Sequence, residues 1–272
     1  MTFNGKMTLN DLKEKAKWVR KTVMEMSVAA SSGHITTAFS QCELTVALYD
    51  KILNIDAKNP HDKNRDRFIL SKGQGGIGIY PILADLGFFS KDELINFTRK
   101  GSLLGVHAEH RIPGIEVLTG SLGHGLPMAS GMALNAKLKN QKHKIVCLLG
   151  DGELFEGSNW ESMFFISHYN LDNLVILVDR NKQSTLGFHD GESEFCDPAY
   201  HKDGPCLNPV DKKFEAFGFN VRVIENGHDF EQILNTLTDF REYSGKPLAI
   251  ISKTSKGRRT SIPQNPRLWH YR

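Results

Sequence analysis

Two strongly apolar runs, Ile145-Val146-Cys147-Leu148-Leu149 and Leu174-Val175-Ile176-Leu177-Val178, flank a stretch from Ser158 to Tyr169 whose apolar residues recur at helical spacing. That order is strand, helix, strand within one short unit. It predicts two parallel strands joined by a right-handed crossover. Parallel strands end on the same edge of their sheet, so the residues just past each run should converge. Those residues are Gly150-Asp151-Gly152-Glu153 after the first run and Asp179-Arg180-Asn181 after the second. In open α/β sheets that edge is where ligands bind. Asp151 and Asn181 would face one gap as a carboxylate and an amide oxygen, a hard-oxygen pair that suits Mg²⁺. Water and the phosphate oxygens of a ligand would complete its coordination. Gly152 has no side chain to obstruct a phosphate, and the helix opening near Ser158 offers free N–H groups to an anion. Asp and Asn also cap helices, but two of them at consecutive parallel strand ends are less simply explained that way.

The rest of the chain extends the same α/β pattern. Thr8-Leu9-Asn10-Asp11 resembles a capping box opening a long amphipathic helix to about Ala30, which Ser32-Gly33-His34 breaks. Helices are predicted from Ser40 to Leu53, from the glycine cluster at Gly73–Gly78 to Leu86, from Ser90 to Phe97 and from Met128 to Lys139. Arg67–Ser71 reads as a strand. Phe219–Ile224, Phe230–Tyr243 and Pro247–Ser252 read as strand, helix, strand. Residues 101–125 are rich in glycine and histidine and read as irregular. Residues 185–209 form a polar connection of a length that is often functional. With no repeat and no clear boundary, 1–272 reads as a single α/β domain with a mostly parallel central sheet flanked by helices.

Composition excludes several classes. The formal charge of +3 over 272 residues gives no footprint for nucleic acid. No apolar run reaches membrane-spanning length, and the first residues lack a signal peptide's apolar segment. Cys42, Cys147, Cys196 and Cys206 show no metal or redox spacing and read as reduced thiols of a cytoplasmic protein. The basic residues near the C-terminus, Lys253, Lys256, Arg258 and Arg259 among them, read as a solvated segment that would also suit a phosphate-rich ligand. Gly73-x-Gly75-x-x-Gly78 fits a dinucleotide fingerprint. Its acidic partner, Asp92 or Glu93, falls at a helix start rather than a strand end, so close helix packing is the preferred reading. His107, His110 and His124 lack the spacing and the carboxylate partner of a zinc site.

Gly150-Asp151-Gly152 through Asn181 resembles the thiamine-diphosphate motif. Further stretches resemble transketolase, specifically the separate N-terminal subunit of split transketolases, in the family's order along nearly the whole chain. They are Ser32-Gly33-His34, Asp66–Ser71, Pro113–Val117, Thr119-Gly120-Ser121-Leu122-Gly123-His124-Gly125, Gly152–Gly157, Phe217-Gly218, Asn226–Asp229 and Lys256-Gly257. The resemblance implies Mg²⁺, or Ca²⁺ or Mn²⁺ in its place, held by Asp151, Asn181 and the carbonyl of Gln183. It implies diphosphate contacts from Gly152 beside Gly150, and an aminopyrimidine resting on Gly120 and Leu122. His34, His107 and His270 match active-site histidines that bind donor hydroxyls, move protons and, for the last, touch the diphosphate. Glu156 and Glu161 match acids that link the two active sites across the family's subunit interface.

The implied activity is transfer of a two-carbon ketol unit from a ketose or ketose phosphate to an aldose. The chemistry would be the cofactor's, with orientation and proton handling left to the protein. The glutamate that activates the aminopyrimidine belongs to the family's pyrimidine-binding domain, which this length cannot include. The implied partner is therefore a C-terminal transketolase subunit, in an α₂β₂ assembly with self-association of this chain. Departures from the family pattern are Gln74 where a histidine is usual near the diphosphate and substrate, Ala108 for a proline, Arg258-Arg259 where a second glycine is common, and Ile35-Thr36-Thr37 after His34. They suggest an unusual sugar or a biosynthetic role. A 2-oxoacid dehydrogenase E1 α-subunit, a deoxyxylulose-phosphate synthase-like protein and a catalytically silent scaffold subunit stay open as alternatives.

Overall fold

The structure, a computed structural model, describes residues 7–184, 187–188, 206–258 and 271. Its centre is a five-stranded, wholly parallel sheet of β1 (Arg67–Leu70), β2 (Ile145–Gly150), β3 (Leu174–Arg180), β6 (Asn220–Ile224) and β7 (Leu248–Lys253), in the order β1-β2-β3-β7-β6. β4 (Gln183–Ser184) and β5 (Gly187–Phe188) form a small antiparallel ribbon straight after β3. Every residue of β2 and β3 is buried, as expected of strands covered on both faces.

Side chains alternate between two cores. Phe68, Leu70, Val146, Leu148, Val175 and Leu177 join one core with α1 (Leu9–Ala30), α3 (Cys42–Ala47), α4 (Gly76–Leu86) and α8 (Phe230–Thr236). Ile69, Cys147, Leu149, Ile176 and Val178 join the other with α5 (Gly125–Leu138), α6 (Gly157–His168) and α7 (Val210–Ala216). The result is a helix–sheet–helix sandwich.

The expected capping box is present: Thr8 accepts from the Asp11 N–H, and Asp11 accepts from the Thr8 N–H. The single helix expected over 40–53 is instead α2 (Ile35–Ser40), α3 and a π-turn over Leu48–Ile52. The helix expected over 230–243 ends at Thr236, and the segment at 90–97 is a 3₁₀-helix over Lys91–Asn96. Cys42 and Cys147 are free and buried. Cys206 is disulfide-bonded, which corrects the expectation of four reduced thiols. Among the described residues no helix is long and apolar enough to cross a membrane.

The glycine cluster serves close packing. A Cβ on Gly78 would lie 2.9 Å from the Ala38 Cβ on α2, and one on Gly73 would lie 2.3 Å from the Thr119 carbonyl oxygen. That second contact seats the irregular segment after 101 against the end of β1.

Candidate active site

Register sets the site. Gly150 pairs with Asp179 across β2 and β3, and Asp179 pairs with Ser252 across β3 and β7. The strand ends are therefore level, and the residues that follow them meet above one edge of the sheet. A cavity of about 370 Å³ opens there. Lys72 and Gln74 line it after β1, Asp151, Gly152, Glu153 and Glu156 after β2, Asn181 and Gln183 after β3, and Lys256 after β7. His34, at the start of α2, and His107, Gly120 and Leu122, from the irregular segment, complete the wall.

Nearly all the expected site residues thus share one cavity. Glu161 does not line it: it is exposed on α6. His270 lies outside the described residues.

Asp151 and Asn181 are both buried. Asp151 Oδ2 accepts from Arg180 Nη1 at 3.1 Å and from the Lys182 N–H at 2.6 Å, and its Oδ1 accepts from the Gly152 N–H at 2.8 Å. Asn181 directs its amide nitrogen inward to Ser40 Oγ and Asp179 Oδ2, each at 3.4 Å. A carboxylate can only accept, so Asp179 fixes which way that amide faces. The Asn181 Oδ1 then accepts from the Gln183 N–H at 3.1 Å.

Asp179 is the fully buried hub beneath these residues. It also accepts from Ser40 Oγ at 2.5 Å, from Lys72 Nζ and from Thr254 Oγ1. Burial pushes its carboxyl upward, but Lys72 and the two hydroxyls outweigh that and leave it below its ordinary value of 3.8.

Two lysines enter the same wall. Lys72 is 1% exposed and Lys256 is 4% exposed. Burial, helped by the neighbouring charge of Lys72 and opposed by Asp151 and Asp179, pushes Lys256 down from 10.5 to about 8. The cavity wall thus sets two buried ammonium groups beside hard oxygens, a combination whose chemistry suits an anion. Their places could have been found from the strand-end rule that located Asp151, since both follow strands of the same parallel sheet. Asp179 and Glu153 lie in the same strand-end segments, but their roles depend on partners distant in sequence, which the strand-end rule does not supply.

The two histidines sit together, with ring centroids 5.8 Å apart, and the Tyr271 ring lies 4.7 Å from that of His34. The Tyr271 hydroxyl is 2.6 Å from Ser32 Oγ. Burial, opposed by Glu109, holds His107 below 6.5, so its imidazole is neutral near pH 7 and can accept a proton or a hydrogen bond. No group of three or more His, Cys, Asp or Glu residues among the described residues is arranged to hold a metal.

The chain matches the transketolase, thiamine diphosphate binding domain family over residues 12–270. It is 38% identical over 268 residues to one of the separate subunits of the apulose-4-phosphate transketolase of Actinobacillus succinogenes, covering 98% of this chain and 92% of that protein. It is 35% identical over 255 residues to SqwG, a subunit of the 6-deoxy-6-sulfo-D-fructose transketolase of a Clostridium species, covering 93% and 88% respectively. Human transketolase is 36% identical over 263 residues, which are 96% of this chain but 40% of that one. Among solved structures, the transketolase of Campylobacter jejuni superposes with a TM-score of 0.80 at 32% identity, over 93% of this chain and 39% of that chain. The chain therefore has the span of the separate subunits and about two fifths that of the single-chain enzymes.

Proposed function

The chain belongs to the transketolase thiamine-diphosphate-binding family, and from that premise we propose that it is the diphosphate-binding subunit of a two-subunit transketolase. The observation that carries this reading is the cavity where Asp151, Asn181, Lys72 and Lys256 meet. Its donor set fits the cofactor in kind: carboxylate and amide oxygens for a divalent ion, and buried ammonium groups for a diphosphate. Asp151, Asn181 and the Gln183 carbonyl would hold Mg²⁺, while Lys72 and Lys256 would face the diphosphate with Gly152. Gly120 and Leu122 would meet the aminopyrimidine. Gly120 lies beside His107, whose ring a Cβ there would meet at an ordinary 3.6 Å. When bound, thiamine diphosphate supplies the nucleophilic carbon and the electron sink for a two-carbon ketol unit.

The residues of this chain bind, orient and handle protons around that chemistry. His34 and His107 lie side by side to take the hydroxyls of a ketose donor, and the neutral His107 can accept a hydroxyl proton and return it. His270 joins them in this reading. Glu156, exposed at the cavity mouth, and Glu161 on α6 would face the neighbouring chains of an α₂β₂ assembly. The subunit relatives act, by their names, on apulose 4-phosphate and on 6-deoxy-6-sulfo-D-fructose. Both are ketoses with an anionic group, and we extend that class, a ketose phosphate or a modified ketose, to this chain.

The test is calorimetric titration of thiamine diphosphate with and without Mg²⁺, then a ketol-transfer assay with the partner chain. Binding that requires the metal, with turnover of ketose but not of 2-oxoacid, is expected. Turnover of 2-oxoacid would move the chain to the E1 class, and tight binding with no turnover of any ketose would make it a silent scaffold.

A further inference from the structure

Glu153 is buried to 1% exposure, two residues past Asp151, yet its carboxylate makes no ion pair among the described residues. It is spent on three donors from three different segments. Oε1 accepts from Ser71 Oγ at 2.5 Å and from the Gly123 N–H at 2.9 Å, and Oε2 accepts from the Gly150 N–H at 3.2 Å. Ser71 follows β1, Gly150 ends β2, and Gly123 lies in the turn that carries Gly120 and Leu122 to the cavity wall.

The same turn is gripped elsewhere. Ser158 Oγ donates to the Gly123 carbonyl at 2.7 Å, and Thr119 Oγ1 donates to the Leu70 carbonyl at 2.6 Å. Gly123 has φ +81, and a Cβ there would fall 2.6 Å from both Glu156 Cβ and Ser158 Oγ. The turn can pack this closely against Glu156 and Ser158 only as glycine.

We propose that Glu153 is a positioning residue, a carboxylate clasp that sets the Gly120–Gly123 turn against the ends of β1 and β2 and so shapes the cofactor wall. It touches neither reacting atoms nor substrate in this role. The inference rests on the reading of the cavity as the thiamine-diphosphate site.

Among the described residues three donors bond the carboxylate, of which only the Ser71 hydroxyl can turn to donate elsewhere or accept. Both backbone N–H groups need an oxygen. The clasp is buried, so it forms at a desolvation cost that its three donors partly offset. Glu153→Gln is therefore informative although it is isosteric. Whichever way the amide sits, its NH₂ faces a backbone N–H, Gly123 in one orientation and Gly150 in the other.

The experiment compares wild type, Glu153→Gln and Ser158→Ala as full chains. It reads hydrogen exchange of the 119–125 peptide, the dissociation constant of thiamine diphosphate with Mg²⁺, and turnover at saturating cofactor in the presence of the partner chain. Faster exchange in 119–125, a roughly 10–100-fold weaker dissociation constant, and turnover largely restored at saturation are expected for Glu153→Gln. Ser158→Ala frees the same turn from its carbonyl side on a more accessible surface, and should shift exchange and affinity the same way by less. If Glu153→Gln does not fold, unchanged exchange and affinity in Ser158→Ala overturn the clasp. Wild-type exchange and affinity in a folded Glu153→Gln overturn it as well. Faster exchange in a variant, with no thiamine-diphosphate binding even by wild type, would leave the clasp standing and overturn the cofactor reading.

Discussion

Asp151 and Arg180 form a buried ion pair, with side chains 1% and 4% exposed. This changes how the proposed metal ligand should be tested. Asp151→Ala would leave the guanidinium buried without that partner, a loss of about 3–5 kcal/mol that confuses binding with folding. Asp151→Asn keeps an oxygen for Arg180 and the Lys182 N–H, removes the charge, and turns its NH₂ toward the Gly152 N–H, a smaller loss than Asp151→Ala. It is expected to abolish Mg²⁺-dependent thiamine-diphosphate binding while the thermal midpoint falls less than in Asp151→Ala. Retained metal-dependent binding in the Asn variant would remove Asp151 from the ligand set.

Lys256 makes a pH prediction with a definite sign. Its ammonium is charged below about 8 in the free protein, so a bound diphosphate draws a proton onto it at higher pH. Affinity should therefore fall as pH rises above about 8, with proton uptake visible by calorimetry in buffers of different ionisation heat, and Lys256→Met should flatten that slope. Stability of the unliganded fold runs the other way. The folded value lies below 10.5, so between about 8 and 10.5 the unfolded chain binds more protons, and this group's contribution to stability rises with pH.

Gln74 is the third residue-scale case. It lines the cavity with His34 and His107 but cannot titrate. A lost acid–base group costs about 10²–10⁴-fold where it acts in the transition state. Gln74→His should raise turnover on common pentose phosphates if the glutamine marks specialisation. Lower turnover on every ketose would show Gln74 to be fitted to the native donor, and no change would place it outside the chemistry.

At the scale of elements, the helix pair α2–α4 is the lever on His34. Gly78 lets α4 approach α2 so closely that an added Cβ would sit 2.9 Å from Ala38 Cβ and 3.1 Å from Ala38 Cα, a backbone atom that cannot step aside alone. Gly78→Ala is expected to cost about 1–3 kcal/mol in denaturant unfolding, as overpacking does, despite alanine's better helix propensity. A neutral or stabilising result would show that α2 yields, and His34 with it.

The same elements show what could be read from sequence. Parallel strand ends were legible because an unbroken apolar run marks each strand and the helix between them fixes their direction, and direction alone brings Asp151 to Asn181. The break of one expected helix into α2, α3 and a π-turn was not. Thr36, Thr37, Ser40 and Gln41 are buried for tertiary reasons: Ser40 Oγ donates to Asp179, and Gln41 Nε2 donates to the Gly75 carbonyl at 2.9 Å. The burial and roles of Lys72 and Glu153, though not their strand-end places, escaped for a related reason. A charged residue reads as solvated until its distant partner is known, and here the partners lie 107 and 82 residues away.

For the whole molecule, the decisive feature is exposed apolar surface, of which Phe155 lines the cavity. α6 leaves Phe164 68% and Phe165 37% exposed, and Tyr169 just beyond it is 43% exposed. Leu138 at the end of α5 is 74% exposed, Leu118 before the Gly120 turn 54%, and Phe155 at the cavity mouth 37%. In the two-subunit reading, the exposed aromatics on the elements that carry Glu156 and Glu161 would be the surface that other chains cover. The matched span is about two fifths of single-chain transketolase, so in the two-subunit reading the remaining parts of the enzyme come from another polypeptide. The purified chain should accordingly show no ketol transfer, and equimolar addition of the partner chain should restore it, with both chains co-eluting at a mass near two copies of each. Phe164→Glu should weaken that assembly and its activity while lowering the melting of the isolated chain only modestly, because the side chain is 68% exposed there and loses only its edge-on contact with Phe217. Ketol transfer by the isolated chain would remove the partner from the mechanism, and full assembly by the Phe164→Glu variant would remove α6 from the interface.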